Sequence, residues 1–230
     1  MSVKPASVEA PGVRRPMRPR VVRLVDIGLD PAFDASMSFV QATLQNINTG
    51  AASPIVEVEF VRSRDLRTVG MALTAEAHVL HVMAHGGAYG DDGPTFSSSD
   101  QRTSFSLGQL TDDAAGQGRG VRTSTVFADG CKTATGVWQR AFEHVLQGPI
   151  TYIGTTSSIG WHEATVFGAM FYGVLYRNKG KGVDPAAASM AAARGAAQAY
   201  TDLLGKRCPY KAITLEPSAW ARENVRPTNI

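Results

Sequence analysis

Two short stretches of the chain carry residue types that can form and break an acyl bond. Ala84-His85-Gly86-Gly87 offers an imidazole beside glycines, and Asp129-Gly130-Cys131 offers a thiol beside another. A nucleophilic thiol needs a base or an imidazolium close by to raise its thiolate fraction. It also needs backbone N–H donors aimed at the oxyanion that forms on the attacked carbonyl. His85 and Cys131 meet the first need if their strands are neighbours. The N–H of Gly86, unshielded by a side chain, and the N–H of Cys131 meet the second. A lone cysteine or histidine at a strand end is more often structural. Here each follows an apolar strand, and each adjoins a glycine.

The elements that must position them can be read from periodicity. Val21–Ile27 is apolar and β-branched, a buried strand. Phe33–Ile47 has apolar residues at helical spacing and stops near Asn48-Thr49-Gly50. Ile55–Val61 alternates as a second strand, and Asp65–Leu73 fits a short helix. His78–Met83 is a third strand, running straight into Ala84-His85. Tyr89–Asp100 is polar and glycine-rich and is expected to be loop. Ser104–Leu107 fits a short strand, and Asp112–Gly120 a loop. Thr123–Ala128 is a fourth strand, ending at Asp129-Gly130-Cys131, with a helix expected over Ala134–Leu146. Ile150–Gly154 is a fifth strand. Ala164–Tyr176 and Pro185–Leu204 are expected helices, and Tyr210–Leu215 a last strand. Strands alternating with helices predict an α/β sandwich with a mainly parallel sheet. Sites in such sheets form at the carboxyl ends of strands, where both triplets fall.

Composition narrows the classes. The 230 residues are 43% hydrophobic and 19% charged, a globular balance rather than a disordered one. The net charge is +3, with Arg14, Arg15, Arg18 and Arg20 in a Pro-rich stretch over residues 1–20. That stretch reads as a flexible tail, and residues 21–230 as one domain. With the tail set aside the body is close to neutral, so no nucleic-acid partner is expected for it. No apolar run approaches the roughly 20 residues of a membrane helix. The stretch after Arg14-Arg15 is broken by Arg23 and Asp26 and reads as a strand rather than an export signal. A cytoplasmic protein with no membrane association is expected. Cys131 and Cys208 allow one disulfide at most, and free thiols suit a reducing compartment.

A resemblance sharpens the reading. His78-Val-Leu-His-Val-Met-Ala-His85-Gly86 resembles the strand-plus-His-Gly motif of caspase-like peptidases, and Thr125-Val-Phe-Ala-Asp-Gly-Cys131-Lys132 resembles their strand-plus-Cys motif. The two residues are 46 positions apart, and a caspase-type histidine lies about 50 upstream of its cysteine. Ile153-Gly-Thr-Thr-Ser-Ser-Ile-Gly-Trp161, then Phe167 and Phe171-Tyr172, then the alanine-rich run Ala186–Ala193, is similar to the CHAT branch, which includes separase-related bacterial proteins. The resemblance covers residues 21–215. It implies a caspase-like three-layer sandwich and a cysteine endopeptidase without cofactor or metal. His85 would be the general acid/base, Cys131 the nucleophile, and the Gly86 and Cys131 N–H groups the oxyanion hole.

It also implies a specificity. Metacaspases carry an Asp two positions before the cysteine, where it lines the pocket for the residue before the scissile bond and favours Arg or Lys. Asp129 is expected to do the same, with Asp26 and Asp30 as candidates for a second carboxylate and Ser157 and Trp161 as cleft residues. A carboxylate there would pair with a basic side chain and leave an acidic one unpaired. His81 reads as packing. Asp91 and Asp92, on a glycine-rich loop, read as solvated rather than metal-binding. The partners implied are a protein substrate and a separate sensor protein, in a bacterial defence or stress role. Activation by self-cleavage is an alternative, for which the polar loop Asp112–Arg122 offers Arg119 and Arg122 as basic candidates. Two other readings stand beside this one. The chain could be a catalytically silent caspase-like interaction module. It could also be an ester hydrolase using His85-Gly86-Gly87, although no Gly-x-Ser-x-Gly nucleophile elbow follows.

Overall fold

The computed structural model describes residues 19–88, 93–110, 119–177 and 184–225. Most of the tail, the Asp91-Asp92 pair and most of the 112–120 loop therefore lie outside the described residues. Six strands form the central sheet: β1 (Arg20–Asp26), β2 (Val56–Arg62), β3 (Ala77–Met83), β7 (Thr123–Asp129), β8 (Ile150–Thr155) and β9 (Tyr210–Leu215). Their order is β2-β1-β3-β7-β8-β9. All neighbours are parallel except β9, which runs antiparallel to β8. A second sheet is small and antiparallel: β4 (His85–Ala88), β5 (Pro94–Ser97) and β6 (Ser104–Ser106), in that order.

Helices cover both faces, as the apolar strands require. On one side lie α1 (Pro31–Ile47), α4 (Trp161–Arg177) and α5 (Pro185–Leu204). They bury Met37, Val40, Phe167, Phe171 and Tyr200 against Val22, Leu24, Phe127 and Ile153. On the other lie α2 (Leu66–Thr74) and α3 (Gly136–Glu143). There Trp138 and Phe142 pack with Leu80, Val126 and Tyr152, and with Phe96 and Phe105 from the small sheet. A short α6 (Ala219–Asn224) follows β9. The expected three-layer α/β sandwich is the observed one.

Several boundaries differ for local reasons. α1 starts at Pro31, because Asp30 caps it by accepting the Ala32 N–H and Pro31 has no N–H to leave unpaired. α3 is shorter than expected: Val121 pairs with Leu146 in an isolated bridge, and that extended pairing ends the helix. The expected loop Tyr89–Asp100 contains β5. Its polar composition hides a pattern shared with β6, in which Thr95-Phe96-Ser97 faces Ser104-Phe105-Ser106 in register. The two phenylalanines point to the core and the hydroxyls point away from it.

Candidate active site

β3 and β7 are adjacent and parallel, with Met83 opposite Asp129. Their carboxyl ends therefore deliver His85 and Cys131 side by side, and the two line one open cavity of about 610 Å³. Cys131 is part-exposed, and both cysteines are free thiols. Burial pushes the Cys208 thiol above its ordinary value and so toward the unreactive form.

The thiol sits on a tightly pinned turn. Lys132 holds φ 58°, a left-handed conformation that costs a side chain roughly 1–2 kcal/mol. Hydrogen bonds offset that cost. Thr133 Oγ1 lies 2.7 Å from the Ala128 carbonyl, Thr155 Oγ1 donates to Gly130 O at 2.5 Å, and the Tyr152 hydroxyl donates to Thr133 O at 2.6 Å. The Lys132 N–H donates to Ser157 O and the Ala134 N–H to Thr155 O. The glycines are required by proximity. A Cβ on Gly86 would stand 2.5 Å from the Cys131 carbonyl oxygen and 3.2 Å from its nitrogen, and one on Gly130 would stand 2.7 Å from Ala84 O. The backbones of Gly86 and Cys131 thus lie against each other, and the Cys131 N–H has no acceptor among the described residues.

His85 is oriented on two sides. Its ring is edge-on to Phe33, with centroids 5.6 Å apart, and to Trp161, at 5.2 Å. Its Nε2 lies 3.2 Å from Ser99 Oγ, which is 2.6 Å from Asp30 Oδ2 and 3.2 Å from Gly28 O. Ser99 has one proton, and the short contact to an acceptor-only carboxylate takes it. The serine then accepts from Nε2–H, which leaves Nδ1 as the unprotonated nitrogen of the neutral ring. The Ser99 hydroxyl, the Ala32 N–H and the nearby His85 hold the Asp30 carboxyl below the usual carboxylate range. Asp30 therefore keeps its charge wherever such a pair would work.

The other expected cleft residues stand differently. Asp129 is 5% exposed. Its Oδ1 accepts from the Tyr210 hydroxyl at 2.5 Å, and its Oδ2 lies 3.4 Å from His81 Nε2. His81 is more than packing: stacked on Phe127, it also meets the Tyr172 hydroxyl through Nδ1 at 3.0 Å. Trp161, at the start of α4, is 36% exposed, and its indole is centred 4.1 Å from Phe33. Ser157 meets the thiol turn through its carbonyl, while Ser158 lines a second cavity of about 320 Å³ with Gly86, Cys131 and Lys132. Of the expected basic candidates, Arg122 pairs with Glu76. Sequence reasoning missed Ser99, which sits in a stretch read as loop. It also missed Thr133 and Thr155, whose hydroxyls carry no signal beyond their position.

No protein-family model and no curated protein matches the chain. Among solved structures, it is similar to a secreted C11 cysteine protease from Bacteroides thetaiotaomicron, whose X-ray structure holds an irreversible peptide inhibitor. The TM-score is 0.55 at 10% identity, over 80% of this chain and 60% of that one. The chain thus spans less than two thirds of that protease. The likeness concerns the fold, which is caspase-like; the narrower CHAT resemblance rests on the sequence motifs.

Proposed function

We propose that the protein is a cysteine endopeptidase. The observation that carries this reading is the cavity at the carboxyl edge of the sheet, shared by a part-exposed Cys131 and an oriented His85. Cys131 attacks the scissile carbonyl, and His85 takes the thiol proton and passes it to the departing amine. The Gly86 and Cys131 N–H groups receive the oxyanion, and water then hydrolyses the thioester. The fold shared with a C11 cysteine protease agrees with this chemistry.

Cleavage after a basic residue is the finer part of the proposal. Asp26, Met83 and Asp129 stand in register across β1, β3 and β7, so two carboxylates share one face at the site end of the sheet. An entering guanidinium or ammonium would replace the Tyr210 hydroxyl on Asp129. A sensor partner and a defence or stress role belong to the same proposal through the CHAT resemblance.

Short fluorogenic peptides with Arg, Lys, Asp or Leu before the reporter test both parts, with wild type against Cys131→Ala. Cleavage after Arg or Lys that the variant loses by at least about a thousandfold is expected. Thiol-dependent cleavage only after Asp or Leu would remove the Asp129 assignment and keep the peptidase. Equal labelling of Cys131 and Cys208 by iodoacetamide, with no cleavage, would remove the peptidase.

A further inference from the structure

The shared cavity extends from His85 over a wall that the catalytic reading does not use. In the small sheet, His85 is opposite Ser97, and Ser97 is opposite Ser104. Opposed residues of an antiparallel sheet share a face, as do residues two apart on one strand. Thr95 therefore joins that face, and Gln101 closes the loop between β5 and β6. Among the described residues this wall is hydroxyl and amide. The side chains of Ser97, Ser104 and Gln101 have no hydrogen-bond partner among the described residues, while Thr95 is tied to Gly93 O. Among the described residues, no Asp, Glu, Lys or Arg lines this cavity. The carboxylates behind it are engaged, Asp30 with Ser99 and Asp100 with Ser98 and Arg64.

The side of the scissile bond follows from the chemistry. The departing amine takes its proton from the histidine, so the leaving half of the substrate lies on the His85 side of Cys131. We propose, on the peptidase reading above, that this wall is a leaving-side subsite for an uncharged hydrogen-bonding side chain: Asn, Gln, Ser or Thr. A charged side chain would shed water there with no counter-charge on the wall itself among the described residues. A large apolar one would cover donors and acceptors without satisfying them.

The test is digestion of denatured protein mixtures by the full chain, with cleavage sites read by mass spectrometry. A roughly three- to tenfold enrichment of Asn, Gln, Ser or Thr at the first two positions after the cut is expected over charged and large apolar residues. The variant Ser97→Val/Ser104→Val keeps β-favouring residues in both strands. It should lose the enrichment or turn it toward apolar residues. Each ratio is taken within one protein, so the folded fraction cancels. Cleavage that is indifferent on the leaving side, or enrichment unchanged in the variant, overturns the subsite and leaves the peptidase standing. If purified protein cleaves nothing, peptide epoxides varied only in the leaving-side residue are compared by their rate of alkylating Cys131. The same ratio and the same loss in the variant then decide the subsite. Failure of every epoxide to outpace labelling of Cys208 overturns the peptidase reading and the subsite with it.

Discussion

At the scale of single residues, the arrangement of interest is His85–Ser99–Asp30. The hydroxyl relays the carboxylate's charge to Nε2, so the carboxylate fixes a tautomer without touching the imidazole. Asp30→Asn isolates this role, because Asn is as good a helix cap and leaves α1 intact. It is expected to lower kcat by about ten- to a hundredfold with little change in KM, against the roughly 10⁴-fold lost when a buried orienting carboxylate is removed. Ser99→Ala should match it, and Ser99→Thr should recover most of the rate. Steady-state kinetics with thermal melts checks this. A rise in KM at constant kcat, or a melting temperature that falls with activity, would place Ser99 and Asp30 in structure rather than in orienting His85.

At the scale of elements, the sheet and its helices are joined by a buried cation. Arg23 on β1 is 6% exposed, and its guanidinium donates to the carbonyls of Ala75 at 2.6 Å and Glu76 at 3.1 Å, just past the end of α2. It also pairs with Glu59, opposite on β2, at 2.5 Å. Carbonyls at a helix end have no partner within the helix, and a cation there suits the dipole. Arg23→Leu strands those carbonyls against the apolar face and is expected to cost about 2–3 kcal/mol. Glu59→Gln touches only the solvent side and should cost under about 1 kcal/mol. Urea denaturation of the two variants checks the ranking. Equal losses would mean that the ion pair, not the helix end, is what Arg23 serves.

At the scale of the whole molecule, the buried carboxylates link site and stability. Asp26 is fully buried, with Oδ2 lacking a hydrogen-bond partner and Arg62 Nε 3.4 Å away. Burial outweighs the Leu29 N–H and Arg62, so its carboxyl is pushed above the ordinary 3.8. The native state then keeps a proton that the unfolded chain has released, and this group's contribution falls as pH rises from 3.8 through the raised value. Asp26→Asn should therefore raise the melting temperature at pH 7, with the gain shrinking as pH falls toward 3.8. Melts across that range check it, and a gain independent of pH would trace to packing. The same variant should weaken cleavage after basic residues if Asp26 helps Asp129 hold the side chain, trading function against stability.

The six strands of the central sheet, the helices of the apolar face and the two triplets were legible in the sequence. Periodicity and glycine placement are local properties, and Val21–Ile27, His78–Met83 and Thr123–Ala128 were legible for that reason. The sequence also shows that His85 and Cys131 end successive long strands. That those strands are neighbours is a matter of sheet order, which no local pattern encodes. That Ser99 reaches back to Asp30 across 69 positions, and that Tyr210 crosses 81 to close over Asp129, emerges only once the strands are paired. Such contacts depend on which strand pairs with which. The small sheet was half legible: the two polar-Phe-polar triplets are visible in the sequence, but alternation so short signals a strand only once Phe96 and Phe105 have a core to enter.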